Sequence, residues 1–161
     1  MPNAPGRRGV RAERSSRQQG FTLIELMVVV LIISILLLVA IPMFLGARTR
    51  AQDRAAQTRL RTVLTAEKTW YTDQQAYTQT AADLMAMEPS LVLDAAADAN
   101  PTQGSVAYAL VGTAVVLGTR SASGTCFYLE DAPTGPGTRY GSDGSCPKPS
   151  AMEPTITLDR W

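Results

Sequence analysis

From Phe21 to Ala47 the chain reads FTLIELMVVVLIISILLLVAIPMFLGA and carries one charged side chain, Glu25. About 20 consecutive apolar residues in a helix span a hydrocarbon core of about 30 Å, so this run is long enough to cross a membrane. A secretory signal has an apolar core of about 7–15 residues and then a small-x-small cleavage site. This run is longer, and its close at Leu38–Ala47 offers no such site. Two uses remain: a plain anchor, or an anchor that is also an assembly interface. Glu25 bears on the choice, because a carboxylate near the centre of a spanning helix costs roughly 2.5–3.5 kcal/mol, and less toward an end. Charges inside spans usually pair with something and mark function. The bland alternative is a carboxylate reaching back to the interface near the helix start.

Averages conceal this run. The 161 residues are 45% apolar and 18% charged, with a formal net charge of +1. Those values exclude a disordered acidic chain, a disulfide-dense scaffold and a strongly basic nucleic-acid binder. The charge is segregated: residues 1–20 hold Arg7, Arg8, Arg11, Arg14 and Arg17 against Glu13, a local +4, which leaves −3 for the remainder. After the run, Arg48, Arg50, Arg54, Arg59 and Arg61 are opposed by Asp53 alone. Flanking charge is therefore balanced, and the positive-inside rule selects no orientation. The chain has no histidine, which removes Ser-His-Asp and Cys-His catalysis, HExxH motifs and Cys/His zinc sites. No catalytic residue, cofactor or metal site is assigned.

Gly20-Phe21-Thr22-Leu23-Ile24-Glu25, after a short basic leader and before an apolar run ending in Ile41-Pro42, closely resembles the class III signal of type IV prepilins, which type II secretion pseudopilins share. The resemblance covers about residues 17–50. It implies that a prepilin peptidase cuts between Gly20 and Phe21 on the cytoplasmic face and methylates the new amine of Phe21. It also implies a single-pass inner-membrane precursor with a cytoplasmic leader, then an extracellular pilus or a periplasmic pseudopilus. Implied partners are the peptidase, copies of the chain and other pilins, an assembly platform and the bilayer, with no nucleic acid. Glu25 would attract the terminal amine of a neighbouring subunit. An ion pair at about 4 Å is worth about 4 kcal/mol at an effective dielectric near 20, comparable to the burial penalty. An intrachain pair with Phe21, one helical turn away, is equally open.

The expected fold class is α+β, a long N-terminal helix packed on a small antiparallel sheet. Its segments are a leader over 1–20, a transmembrane and assembly helix over 21–47, its amphipathic half over 48–73, and a head over 74–161. Ala56, Leu60, Val63, Leu64, Glu67 and Tyr71 recur at spacings of three and four, the pattern of one buried helical face. A helix from Phe21 to about Thr72 would be some 75–80 Å long. Pro42 lacks an N–H and crowds the preceding turn, so a kink is expected there; the resemblance implies that the stretch bends or melts in a filament.

Beyond the stem, Thr80-Ala81-Ala82-Asp83 caps a short helix ending before Glu88-Pro89, and residues 95–104 form a polar loop. Three β-favourable runs follow, Ser105–Val111, Ala114–Thr119 and Thr125–Glu130, with a last short strand at Ile156–Leu158. Two cysteines in an exported domain favour a disulfide, and many type IV pilins close a C-terminal loop between such a pair as Cys126 and Cys146. The chain-entropy value for a loop of this size is about 3 kcal/mol. The enclosed stretch from Asp131 reads as turn-rich, and Asp143-Gly144 as a turn rather than a calcium ligand. The resulting expectation is a type IV pilin precursor, with a minor pilin or type II pseudopilin as the alternative. A monomeric membrane-anchored binding module presenting Asp131–Tyr140 is the alternative from another class.

Overall fold

The computed structural model describes residues 20–78, 80–135, 137–152, 156 and 161. The leader arginines lie outside these residues, as do Thr157 and Leu158 of the expected last strand. The chain divides into two units, Met1–Ile41 and Pro42–Trp161. Helix α1, Leu23–Gln74, contributes to both and stays α-helical through Pro42.

In the first unit no described residue packs on the helix. The large apolar side chains from Phe21 to Leu45 are between 49% and 89% exposed. The most apolar window of α1 is long enough to span a membrane and is not buried by the chain itself.

The second unit begins with the amphipathic part of α1. Ala56, Leu60, Val63, Leu64 and Glu67 are its buried residues, as the spacing predicts; Tyr71 is half-buried. Asp53 anchors the same stretch of helix by accepting hydrogen bonds from the hydroxyls of Ser121 and Ser123. After α1 come α2, Ala81–Met87, then four strands: β1, Ala107–Val111; β2, Ala114–Arg120; β3, Cys126–Ala132; and β4, Gly137–Asp143. A short helix α3, Pro149–Met152, follows. The strands form one antiparallel meander in the order β1-β2-β3-β4.

Both faces of this sheet are covered, and strand alternation explains how. Val115, Leu117, Phe127, Leu129 and Tyr108 join Leu60, Val63 and Leu84 in the main core. The intervening Val116, Cys126 and Tyr128 form a second cluster with Met152 and Ile156. Successive side chains of a strand point to opposite faces, and here each face meets a different partner. A fully buried Leu or Val contributes roughly 1.5–3 kcal/mol, so the two clusters together set the head's stability.

Several expectations are corrected. β1 starts at Ala107 rather than Ser105, and β3 continues to Ala132. Thr80 occupies the N-cap of α2 but makes no side-chain capping bond. The Thr78 hydroxyl does that work: it accepts from Thr80 N–H at 3.1 Å and donates to Asp83 at 2.8 Å, while Ala81 N–H donates to the Tyr108 hydroxyl. The largest miss is β4, which lies inside the stretch read as turns. Among the described residues it is an edge strand paired with β3 alone, so it needs little apolar character to stay in the sheet. It is held by cross-strand pairs, with Arg139 opposite Glu130 and Thr138 opposite Asp131. The Arg139 guanidinium reaches both Glu130 oxygens at 2.6 and 2.7 Å.

Cys126 and Cys146 form a disulfide, with Cα atoms 5.2 Å apart. It closes a loop that contains β4, tying the edge strand's end to the start of β3.

Gly118 is the tightest point of the sheet. It pairs with Tyr128, and a Cβ there would lie 2.9 Å from the Tyr128 ring and 3.0 Å from Pro101. The ring cannot swing away freely, because its hydroxyl donates to the Pro147 carbonyl at 2.6 Å. Gly118→Val is therefore expected to lower stability by about 1–3 kcal/mol through overpacking. Denaturant unfolding of the purified chain in detergent measures this; an unchanged midpoint would contradict the packing.

Candidate assembly site

The N-terminal segment is built from the backbone outward. Thr22 and Glu25 close on each other across the first turn of α1. Glu25 Oε2 accepts from Thr22 N–H at 2.9 Å and from the Thr22 hydroxyl at 2.6 Å, and Glu25 N–H donates back to Thr22 Oγ1 at 3.3 Å. This is a capping box, in which orphan donors at a helix start are satisfied reciprocally. The pattern Thr-x-x-Glu before an apolar run carries that signal in the sequence, and reading Glu25 for its charge alone passes over it.

Two consequences follow. The carboxylate is already hydrogen-bonded within its own chain, so part of the penalty for a charge at the start of an apolar helix is offset locally. It also sits at the positive end of the helix dipole, where an anion is favoured by about 0.3–1 kcal/mol at an exposed site. Gly20 and Phe21 directly precede this box in extended, exposed chain. A Cβ at Gly20 would meet nothing within 4 Å, so the peptide bond after it is open to approach from outside.

A second polar group sits in the head, between α1, the segment after it, and the sheet. Asp131 on β3 accepts from the hydroxyls of Tyr77 and Thr138 and pairs with Lys68 at 2.9 Å. Burial pushes the Asp131 carboxyl up, but the bonds from Thr138, Tyr77 and Lys68 outweigh it and hold the group below its ordinary value. Burial also raises the Tyr77 hydroxyl, helped by its bond to Asp131. Glu67 is fully buried. Its Oε2 accepts from Thr78 N–H at 3.2 Å, while Oε1 has no hydrogen-bond partner among the described residues. Burial pushes its pKa up to about 7, only partly opposed by the Thr78 bond.

Helical spacing correctly places Glu67 inward but does not show what it meets there. The cluster fastens the segment 75–78 to helix and sheet, and the mutual bonding of its members leaves them occupied. Among the described residues no group of His, Cys, Asp or Glu is arranged to hold a metal ion. Asp143, the last residue of β4, accepts from Ser145 N–H and its hydroxyl, which holds its carboxyl below the usual range and fixes the bend that follows the strand.

Glu67 predicts a pH dependence. An acid whose pKa is higher in the folded chain binds its proton more tightly there, so its contribution is full below about pH 4.5 and is lost as pH rises to about 7. That interval corresponds to about 3 kcal/mol. Asp131 acts in the opposite sense and loses its contribution only on acidification below the ordinary carboxylate range. Glu67→Gln keeps an acceptor for Thr78 N–H and should flatten the stability profile between pH 5 and 8. Unfolding midpoints across that range check it; a slope unchanged by the substitution would remove Glu67 as its source.

Comparison with known proteins bears on the N-terminal half. The family model described as the prokaryotic N-terminal methylation motif matches residues 15–41. The type IV major pilin protein PilA of Myxococcus xanthus is 41% identical over 68 residues, which are 42% of this chain and 31% of that protein. The type IV wide pilus major component PilA4 of Thermus thermophilus is 39% identical over 69 residues, 43% of this chain and 53% of that protein. The chain thus spans about a third and about half of the length of these two relatives. It carries the prokaryotic N-terminal methylation motif on an α+β, pilin-like fold, and type IV major pilins are among its relatives.

Proposed function

We propose that this chain is a type IV pilin precursor, the subunit of a pilus filament. The observation that carries the proposal is a long apolar helix left wholly uncovered by its own chain and opened by the motif Gly20-Phe21-Thr22-Leu23-Ile24-Glu25. A helix of this kind needs lipid before assembly and other copies after it. In this reading prepilin peptidase cleaves after Gly20 and methylates Phe21, with the leader on the cytoplasmic side of the inner membrane. An assembly platform then transfers the helix from bilayer to filament. The leader, the helix segments 21–47 and 48–73, and the head from 74 onward would act as separate functional parts. Pro42 is proposed as the point where the helix yields during this transfer.

Glu25 then has successive partners. In the precursor its carboxylate belongs to Thr22. Cleavage creates an ammonium at Phe21, and in an apolar filament core that charge requires a counter-ion. The pair at about 4 Å would contribute about 4 kcal/mol before desolvation, and desolvation removes much of it. Its main effect is therefore register between subunits. The protein's role is structural, and no catalytic step is assigned to it.

Mass spectrometry of sheared surface filaments tests this reading. Abundant peptides starting at N-methyl-Phe21 are expected. Filaments that lack them would demote the chain to a minor pilin or pseudopilin, and an uncut Met1 terminus in the membrane would leave it a plain anchor. Glu25→Ala should still insert and be cleaved, while filament yield falls at least tenfold. Normal filaments from that variant would remove the register role.

A further inference from the structure

The part of α1 that follows the apolar run carries unanswered positive charge. Arg48, Arg50 and Arg54 are exposed and Arg59 is half-buried, and among the described residues none of the four pairs with a carboxylate. At 100° per residue, the side of the helix opposite the buried stripe carries Ala47, Ala51, Ala55, Thr58 and Thr62, all exposed. Arg50 and Arg54 flank it on one side, Arg48 and Arg59 on the other. Thr58 and Thr62 donate their hydroxyls to the carbonyls of Arg54 and Thr58. This face can therefore lose water without stranding a donor.

The head carries the opposite excess. Residues 69–119 contain no lysine or arginine but hold Asp73, Asp83, Glu88, Asp94 and Asp98. Asp83, Glu88, Asp94 and Asp98 accept from hydroxyl groups of Thr78, Ser90, Ser105 and Ser150, and among the described residues none of the five pairs with a cation. Within this segment an open groove of about 700 Å³ runs between α2 and the loop after Asp94. Its lining includes Ala82, Met85, Ala86, Ala95, Ala97 and Tyr108. No carboxylate lines the groove itself; Asp83 lies on α2 beside the lining residues, Asp94 directly precedes the loop wall, and Asp98 lines the adjoining pocket with Ala97 and Tyr108.

We propose that this groove is an intersubunit docking site that receives the arginine-bearing stem, residues 47–62, of a second copy of the chain. The inference rests on the filament reading and names the surface through which heads engage stems. Small side chains on both partners allow close approach, and the aliphatic portions of the arginines can lie along Met85 and the alanines. The guanidiniums then reach carboxylates that, among the described residues, have no cationic partner in their own chain. A charge-assisted bond is about twice as strong as a neutral one. Opposite potentials on the two surfaces also set orientation and discriminate against heads that lack the acidic segment. The site is heterologous, groove to stem, so each copy can use both surfaces and the contact propagates without closing.

The test places the photo-crosslinking residue benzoylphenylalanine at Met85 of the full-length chain in filament-forming cells. A crosslinked dimer is expected, joining position 85 to a peptide from residues 47–62 of another copy. Arg50→Glu with Arg54→Glu should reduce that product about tenfold while cleavage after Gly20 stays normal. The corresponding pair of Arg→Lys changes should keep most of it. Filaments that form without the crosslink, that crosslink elsewhere or to lipid, or that keep it unchanged after charge reversal would overturn the docking site alone. Absence of both filaments and crosslink from the unaltered charge pattern would instead overturn the filament reading, and the docking site with it.

Discussion

The apolar surface of α1 between Phe21 and Leu45 is the constraint on which everything else depends. Some twenty large hydrocarbon side chains project from a single helix with no tertiary partner among the described residues. A surface of that size cannot stay in water, because apolar area is unfavourable by roughly 25 cal/mol per Å². It calls for a cover from outside the described chain, which the proposed function supplies first as lipid and then as protein. The head, by contrast, closes its own core, so the two units have different needs and the chain is complete only in company.

That division explains how the polar groups are spent. Where the helix lacks neighbours, Thr22 and Glu25 satisfy each other across one turn, and the hydroxyls along the stem bond back to carbonyls four residues earlier. Where it has neighbours, long-range bonds take over. Asp53 holds the β2–β3 turn, Glu67 holds Thr78, and Asp131 gathers Tyr77, Thr138 and Lys68. Glu67 is the weak member, since burial leaves one oxygen without a partner and raises its pKa toward neutrality. A buried acid in that condition makes the joint between helix and sheet sensitive to pH near 7.

Much of this was legible in the residues. The apolar run, the stripe from Ala56 to Glu67, three of the strands and the paired cysteines could be read because each is a regular pattern with strong physical causes. Two features could not, and a third was passed over. β4 sits at an edge and is held by polar pairs with β3, so its composition, Gly-Thr-Arg-Tyr-Gly-Ser-Asp, looks like loop. The cap of α2 comes from Thr78 and Tyr108 rather than the residue before the helix, a choice made by tertiary contacts. The Thr22–Glu25 box was legible but stood behind a more conspicuous reading of the same carboxylate.

The polar make-up of β4 has one further meaning. The segment 92–98 bonds along the β1 side of the meander, whereas β4 forms its other edge, and an exposed edge is a template for pairing with any strand nearby. In the proposed filament, subunits held side by side at high local concentration would meet that hazard continuously. A strand with an arginine, two glycines and an aspartate, tethered through the adjoining disulfide and covered in part by Trp161 at Gly141, is a poor template. In the proposed filament, the weak strand character that hides β4 in the sequence would let heads crowd together without their sheets merging, and would leave growth of the assembly to the helices.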